Sequence, residues 1–432
     1  MTTDKLLDPI TEGHLIRSCH KAVGKFFEFV LDCYWRLIRK IDVSISHVAI
    51  RLVSARTEIV PNRVFFMTTR GDYQCNPKWI CEELLSRESG CEAYWCVRKK
   101  TDIASSRFPK GLKLVERGSA AFYRALASSR VIVDNSINVI YLGYRPKPGQ
   151  TYVETWHGAI GIKRFSADSV TERKWRNDAF LSARYIGYLI SNSSMEDEIY
   201  REDYWKENEI LRHGHARNDI LFLPPESPRA AEIRARIYRD YGISPGTRIC
   251  LYAPTFRENV DKNEAARQVG MIDFMRVKRA LERRFGGEWV VMVRLHFKTM
   301  KQLKSSGRFG NSAVVDAGDY PDIQELLTCT DVGITDYSSW ICEYLLTHRP
   351  GFLFAPDYEQ FTENERGLYY PLESMPYPLA LDNDMLEKNI LDFREEGFPE
   401  RCDRFLRDKG CVDDGHAAAR TVDKILDLLK PE

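Results

Sequence analysis

From Arg63 onward one pattern recurs: a short, unbroken apolar segment, a polar cluster at its end, then a helix-forming stretch. "RVFFMT", "EAYWCV", "RVIVDNS", "TYVETWHG", "YLISNSS" and "EILRHGHARND" form a first series, with "NPKWICEELLS" helical between the first two. "RICLYAPT", "WVVMVRLH", "AVVDAG", "DVGITD" and "PGFLFAP" form a second. Strands that are apolar throughout are buried on both faces, and intervening helices supply the cover, so the pattern predicts parallel sheets. A Pro-rich break and a charged helical stretch, "PPESPRAAEIRARIYRDYGI", separate the two series, and 432 residues exceed one ordinary core. The expectation is an α/β chain with Rossmann-like domains over 61–228 and 229–385 and C-terminal helices over 386–432. Ligands of such sheets bind beyond the strand C-termini, in the cleft between the halves.

Residues 1–60 read differently, as a helical extension. Phe26, Phe27, Val30, Leu31, Tyr34 and Leu37 recur near one helical face, bordered by Lys21, Lys25, Arg36, Arg39 and Lys40. Two readings stand for it: a helix packed on the first domain, or a segment lying on an anionic membrane surface. No uncharged apolar run approaches the ~20 residues that span a bilayer. Lys+Arg 63 against Asp+Glu 62 leaves no global footprint for a polyanion, which excludes a general nucleic-acid binder. Eleven cysteines occur without a Cys-x-x-Cys pair, and no secretory signal follows Met1, which together predict reduced thiols in the cytoplasm.

The polar clusters carry the chemistry. In "ETWHGAIGIKRF", His157 follows a strand, with Gly158 loosening the backbone and Lys163 nearby; such a histidine takes a proton from a hydroxyl, or is simply bonded to a carbonyl. In "HGHARNDIL", Arg217 can fork onto a phosphate or form an interdomain ion pair, Asn218 stands beside it, and Asp219 is expected to cap "ILFL". "YAPTFRE" offers Thr255 and Arg257, and "VRLHFK" offers Arg294 and His296 on one side of a strand. "GITDYSSWICEYLL" places Thr335, Asp336, Ser338 and Ser339 between a strand and a helix. Free N–H groups at a helix start favour an anion there; the alternative is capping, which accounts for one such residue rather than the whole group. Glu343, one turn on, either accepts from ribose hydroxyls or is solvated. "DND" at Asp382–Asp384 imitates a metal clamp but reads as a loop or N-cap, and no ligand set with metal spacing is found.

Taken in order, "TWHG", "ARND", "YAPTFR" and the long stretch "DAGDYPDIQELLTCTDVGITDYSSWICEYLLTHRPGFLFAPDYEQFTENERGLYY" resemble the CDP-glycerol glycerophosphotransferase family, over roughly Arg63 to Tyr370. The resemblance implies a GT-B fold of two Rossmann-like domains facing a cleft. It implies no obligatory metal or other cofactor. The reaction implied is transfer of a polyol phosphate from a CDP-alcohol, glycerol first, to a hydroxyl of a lipid-linked or polymeric teichoic-acid-like or capsular acceptor, with release of CMP. His157 would then be the general base, or would orient the acceptor. Gly158, Lys163, Arg217, Asn218, Thr255, Arg257, Arg294 and His296 would contact the donor, with Thr335, Asp336, Ser338 and Ser339 at its pyrophosphate and Glu343 at the ribose. The implied setting is the cytoplasmic face of the cell membrane, held peripherally, with no nucleic acid as partner. Departures from the family pattern, Ala216 before Arg217 and "PLESMPYP" after "RGLYY", keep CDP-ribitol open as donor. A nucleotide-sugar glycosyltransferase of the same fold and a catalytically silent nucleotide-binding module are the other readings.

Overall fold

The computed structural model describes residues 50, 53–69, 71–99, 108–158, 160–165, 173–255, 271–295, 314–364 and 367–430. The chain divides into two compact units, Met1–Thr57 and Glu58–Glu432. Of the first unit only Ile50, a helical turn ending at Arg56 and Thr57 are described, so the two readings of the N-terminal segment lie outside the described residues.

The second unit holds two parallel sheets. Strands β1 (Val60–Phe66), β2 (Glu92–Val97), β3 (Lys113–Glu116), β4 (Ser129–Asp134), β5 (Thr151–Glu154), β6 (Ile186–Ile190) and β7 (Glu209–Leu211) lie in the order β3-β2-β1-β4-β5-β6-β7. Strands β8 (Arg248–Tyr252), β9 (Trp289–Val293), β10 (Val314–Asp316), β11 (Val332–Thr335), β12 (Gly351–Phe354) and β13 (Leu379–Ala380) lie in the order β10-β9-β8-β11-β12-β13. Every pairing in both is parallel. The central strands are buried residue after residue, as in Val64-Phe65-Phe66, all of β9 and all of β12. Apolar, β-branched and aromatic side chains on both faces of the pleat explain why these segments are strands and why they sit centrally. The short edge strands β3 and β13 lack that signature and are absent from the sequence reading.

The helix Cys75–Ser86 forms as expected, but its Lys78 is buried and salt-bridged to Asp322 (2.7 Å) and Glu325 (2.8 Å), beside the helix Ile323–Cys329 of the second sheet. The expected C-terminal helices divide their allegiance. Asn383–Asp392 packs on Phe274–Phe285 beside the second sheet, whereas Ala417–Leu429 returns to pack on Cys75–Ser86, β4 and β1 of the first. Asp219 is the reason for the return: its carboxylate accepts from Ala417 N (3.0 Å) and Ala418 N (2.8 Å), so it caps this distant helix rather than its own segment. Asp382 does cap a local helix, accepting from Met385 N at 2.7 Å, and Asp384 pairs with Arg276.

Candidate active site

The loop after β5 carries His157. Trp156 before it has φ +52, a left-handed conformation unusual for a bulky residue. A Cβ at position 158 would lie 2.9 Å from the Trp156 indole nitrogen, so only glycine follows without moving that ring. The Asn76 side-chain amide donates to the carbonyls of Thr155 (2.9 Å) and Trp156 (3.2 Å), tying the loop to the start of the helix Cys75–Ser86. His157 Nδ1 lies 2.7 Å from the Asn135 carbonyl, which only accepts; Nδ1 therefore bears the proton and the neutral ring keeps its lone pair on Nε2. Nε2 has no partner among the described residues. Desolvation by the surrounding protein is the main cause of a pKa lowered to about 4; the Asn135 bond opposes it and Arg217 adds to it. The ring itself is exposed, so water tempers this drop without reversing its direction. His157 is thus neutral at neutral pH and competent to accept a proton.

Arg217 lies in the 3-10 segment Ala216–Phe222 and is buried. Its guanidinium donates to the carbonyls of His157 (2.7 Å) and Gly158 (2.9 Å) and to Glu343 Oε1 (2.5 Å). Burial disfavours its charge, but Glu343 outweighs this and holds the charged form above the ordinary value. Of the two readings of Arg217, the interdomain ion pair is present, with Glu343 as its partner, and Gln324 donates its amide to the second carboxyl oxygen of Glu343. Asn218 is also fully buried, accepting from Gln324 Nε2 (3.3 Å) and donating to Asp413 Oδ2 (3.0 Å).

On the second sheet, Thr335 and Asp336 are likewise buried and bonded to protein. The Thr335 hydroxyl donates to the Ala253 carbonyl (2.8 Å), and Asp336 Oδ1 accepts from Thr255 N (2.7 Å) and Tyr337 N (2.6 Å). They lock the loop after β8 to the loop after β11, and the Trp340 indole, donating to Ala253 O at 2.7 Å, adds a third tie. Ser338 and Ser339, by contrast, are half-buried, and neither hydroxyl has a partner among the described residues. The short helix Trp340–Tyr344 begins without a side-chain cap, so capping does not occupy the serines. Arg294 follows β9 and donates to the Tyr320 carbonyl at 3.2 Å, and Lys163 pairs through its backbone with Leu368. Arg257 and His296 lie outside the described residues. Sequence reasoning missed Asn76, Gln324 and Asp413; each is a polar residue inside a helix or tail whose partners are remote in sequence. Lys78, set among apolar residues of its helix, was a readable signal.

The fold and site define a class: a two-domain parallel α/β protein of GT-B type, with its reactive groups on loops at the strand C-termini. The chain matches the family described as CDP-Glycerol:Poly(glycerophosphate) glycerophosphotransferase over residues 49–427 and belongs to it. A teichoic acid poly(glycerol phosphate) polymerase of Staphylococcus epidermidis is 29% identical over 397 residues, covering 88% of this chain and 53% of the relative. One from Bacillus spizizenii is 24% identical over 400 residues, 90% of this chain and 98% of the relative. A teichoic acid poly(ribitol-phosphate) polymerase of the same species is 27% identical over 397 residues, 90% and 60%. The chain spans about half the length of the first two curated relatives it matches, 53% and 43%. Among solved structures, the wall teichoic acid polymerase TagF soaked with CDPG superposes with a TM-score of 0.75 at 25% identity, covering 91% of this chain and 98% of that one.

Proposed function

We propose that this chain transfers glycerol phosphate from CDP-glycerol to a hydroxyl of a teichoic-acid-like acceptor and releases CMP. One observation carries the reading: a single guanidinium, that of Arg217, joins the backbone of His157–Gly158 to Glu343, one turn beyond the open hydroxyls of Ser338 and Ser339. A neutral base and an anion-binding helix start thus share one rigid frame. The acceptor oxygen attacks the glycerol-bearing phosphorus, and the bond from that phosphorus to the CMP oxygen breaks. The hydroxyl proton passes to His157 Nε2, and CMP leaves with the electron pair. Attack at phosphorus needs alignment and charge neutralisation more than covalent help. Ser338 and Ser339, with Arg294, Arg257 and His296, are assigned to the donor phosphates, and Thr255 and Lys163 to the cleft walls around them. Arg217, Asn218, Thr335, Asp336 and Glu343 are assigned to holding the frame. Family membership and poly(glycerol phosphate) polymerase relatives support glycerol as the alcohol.

The ribitol-phosphate relative favours CDP-ribitol as the second donor. Incubation with CDP-glycerol, CDP-ribitol and nucleotide sugars decides: CMP from CDP-glycerol is expected, whereas a nucleoside diphosphate from a sugar donor would sink the reading. No helix among the described residues is long and apolar enough to cross a membrane. The acceptor is proposed to be lipid-linked and met at the cytoplasmic membrane face through residues 1–57. A chain beginning at Glu58 should then sediment less with anionic liposomes, and equal sedimentation would contradict that role.

A further inference from the structure

Two carboxyl groups that the mechanism does not use lie fully buried under the His157 loop. Asp134 ends β4, Glu154 ends β5, and they are register partners across the parallel pair. Two carboxylates set side by side in a dry interior repel, so both cannot be ionised. The hydrogen bonds say where the proton sits. The Tyr152 hydroxyl has one hydrogen yet meets Asp134 Oδ2 at 3.0 Å and Glu154 Oε2 at 3.1 Å, so both contacts are bonds only if one carboxyl brings its own proton. Asp134 already accepts from the backbone of Asn135 (2.7 Å), Ser136 (3.3 Å) and Val139 (2.9 Å) and from Asn138 Nδ2 (2.6 Å), the surroundings of an anion. Glu154 accepts from only two donors, Ile137 N (2.8 Å) and Trp156 N (2.9 Å). Burial raises both carboxyls above their ordinary values, Glu154 to about 8 with the Asp134 charge adding to it, so one proton is retained in the pair and the hydrogen bonds place it on Glu154.

Those two donors matter. Ile137 (φ +48) and Trp156 (φ +52) are both non-glycine residues in the left-handed region, a strained backbone that persists only where its surroundings hold it. Ile137 lies two residues beyond Asn135, whose carbonyl fixes the His157 ring, and Trp156 immediately precedes His157. We propose that Glu154 is kept as a neutral carboxylic acid and, relayed through Tyr152 to the Asp134 carboxylate, is the positioning residue for the loop that carries the base. Its two oxygens clamp the strained turns that together set the height and tautomer of the imidazole. The titratable groups facing the pair are Tyr152 of β5, Tyr200 of the helix Ser194–Glu202 on the Glu154 side, and Cys96 of β2 on the Asp134 side. Tyr200 and Cys96 are pushed above their ordinary values by burial, so both stay neutral while Glu154 titrates.

This inference rests on the reading of His157 as the base, so its test has one arm that ignores catalysis. In infrared spectra at neutral pH the wild type should show the carbonyl band of a protonated carboxylic acid, missing from Glu154→Gln and fading as pH passes about 8. In the kinetic arm, Glu154→Ala should lower kcat about tenfold or more with little change in donor KM, as misplacement of a reacting group does. Glu154→Gln, isosteric with the neutral acid, should restore kcat and abolish the alkaline limb near pH 8. Absence of the band, a Gln variant as impaired as the Ala variant, or an Ala variant with normal kcat would each overturn the proposal. If the Ala variant does not fold, the band and the Gln profile decide. A wild type that shows the band but releases no CMP would sink the transferase reading instead.

Discussion

At the scale of single residues, the proposed base is shaped by its surroundings. His157 is held neutral by desolvation and by the Arg217 charge beside it, and the Asn135 carbonyl selects the tautomer with Nε2 free. Its pKa of about 4, against an ordinary 6.5, moves the pH profile. Protonation of the free enzyme removes the base, so the acid limb of kcat/KM should have its midpoint below 6.5, by less than the full drop because the residue is exposed. A midpoint at 6.5 or above would show that the imidazole is not shielded as described. The sequence "TWHG" singled out His157 but left it between a proton acceptor and a histidine bonded to a carbonyl, and the ring does both of the things its two nitrogens allow: Nδ1 meets the Asn135 carbonyl while Nε2 stays open among the described residues. Asp134 and Glu154 were not legible, since an acidic residue at a strand end reads as solvated until the register sets it beside another one.

At the scale of elements, the strands were legible because unbroken apolar runs leave few alternatives, whereas β3 and β13 are too short and too polar to announce themselves. The Thr-Asp-Tyr-Ser-Ser turn after β11 was legible as a cluster but not in its division of labour. Thr335 and Asp336 point back to the loop after β8, and only Ser338 and Ser339 are left unbonded among the described residues. Hydrogen-bond geometry, which the sequence does not carry, makes that division. Because neither serine caps the helix Trp340–Tyr344, replacing both by alanine should leave folding stability within about 0.5 kcal/mol, where loss of a true cap costs about 1. The same double variant should weaken CDP-glycerol binding by about 3 kcal/mol or more, the loss of two hydrogen bonds to charged phosphate oxygens. Unchanged donor affinity with a loss of stability would return the serines to a structural role.

At the scale of the whole molecule, the two sheets are joined by buried charge. Lys78 reaches Asp322 and Glu325, 244 and 247 residues away, and Arg217 reaches Glu343 across 126. Such pairings depend on the finished topology, and for that reason the sequence left Arg217 open between a phosphate contact and an interdomain pair and did not identify Glu343 as its partner. Burial would raise the Glu325 carboxyl, but Lys78 and its other partners hold it at about 2. Its contribution is therefore complete above the ordinary 4.5 and is lost only as pH falls toward 2. Lys78→Met leaves the buried Asp322 without a cation, while Glu325 keeps Arg236 at 2.6 Å, and should cost about 3 kcal/mol in urea denaturation at neutral pH. A loss below about 1 kcal/mol would mean the pair is solvated, as surface pairs are. The central claim is that His157 is the base of a CDP-alcohol phosphotransfer, and its most direct test is CMP release from CDP-glycerol by His157→Ala, with donor affinity measured alongside. The account predicts a fall in turnover of about 100-fold or more with donor affinity unchanged, and turnover at the wild-type rate would contradict it.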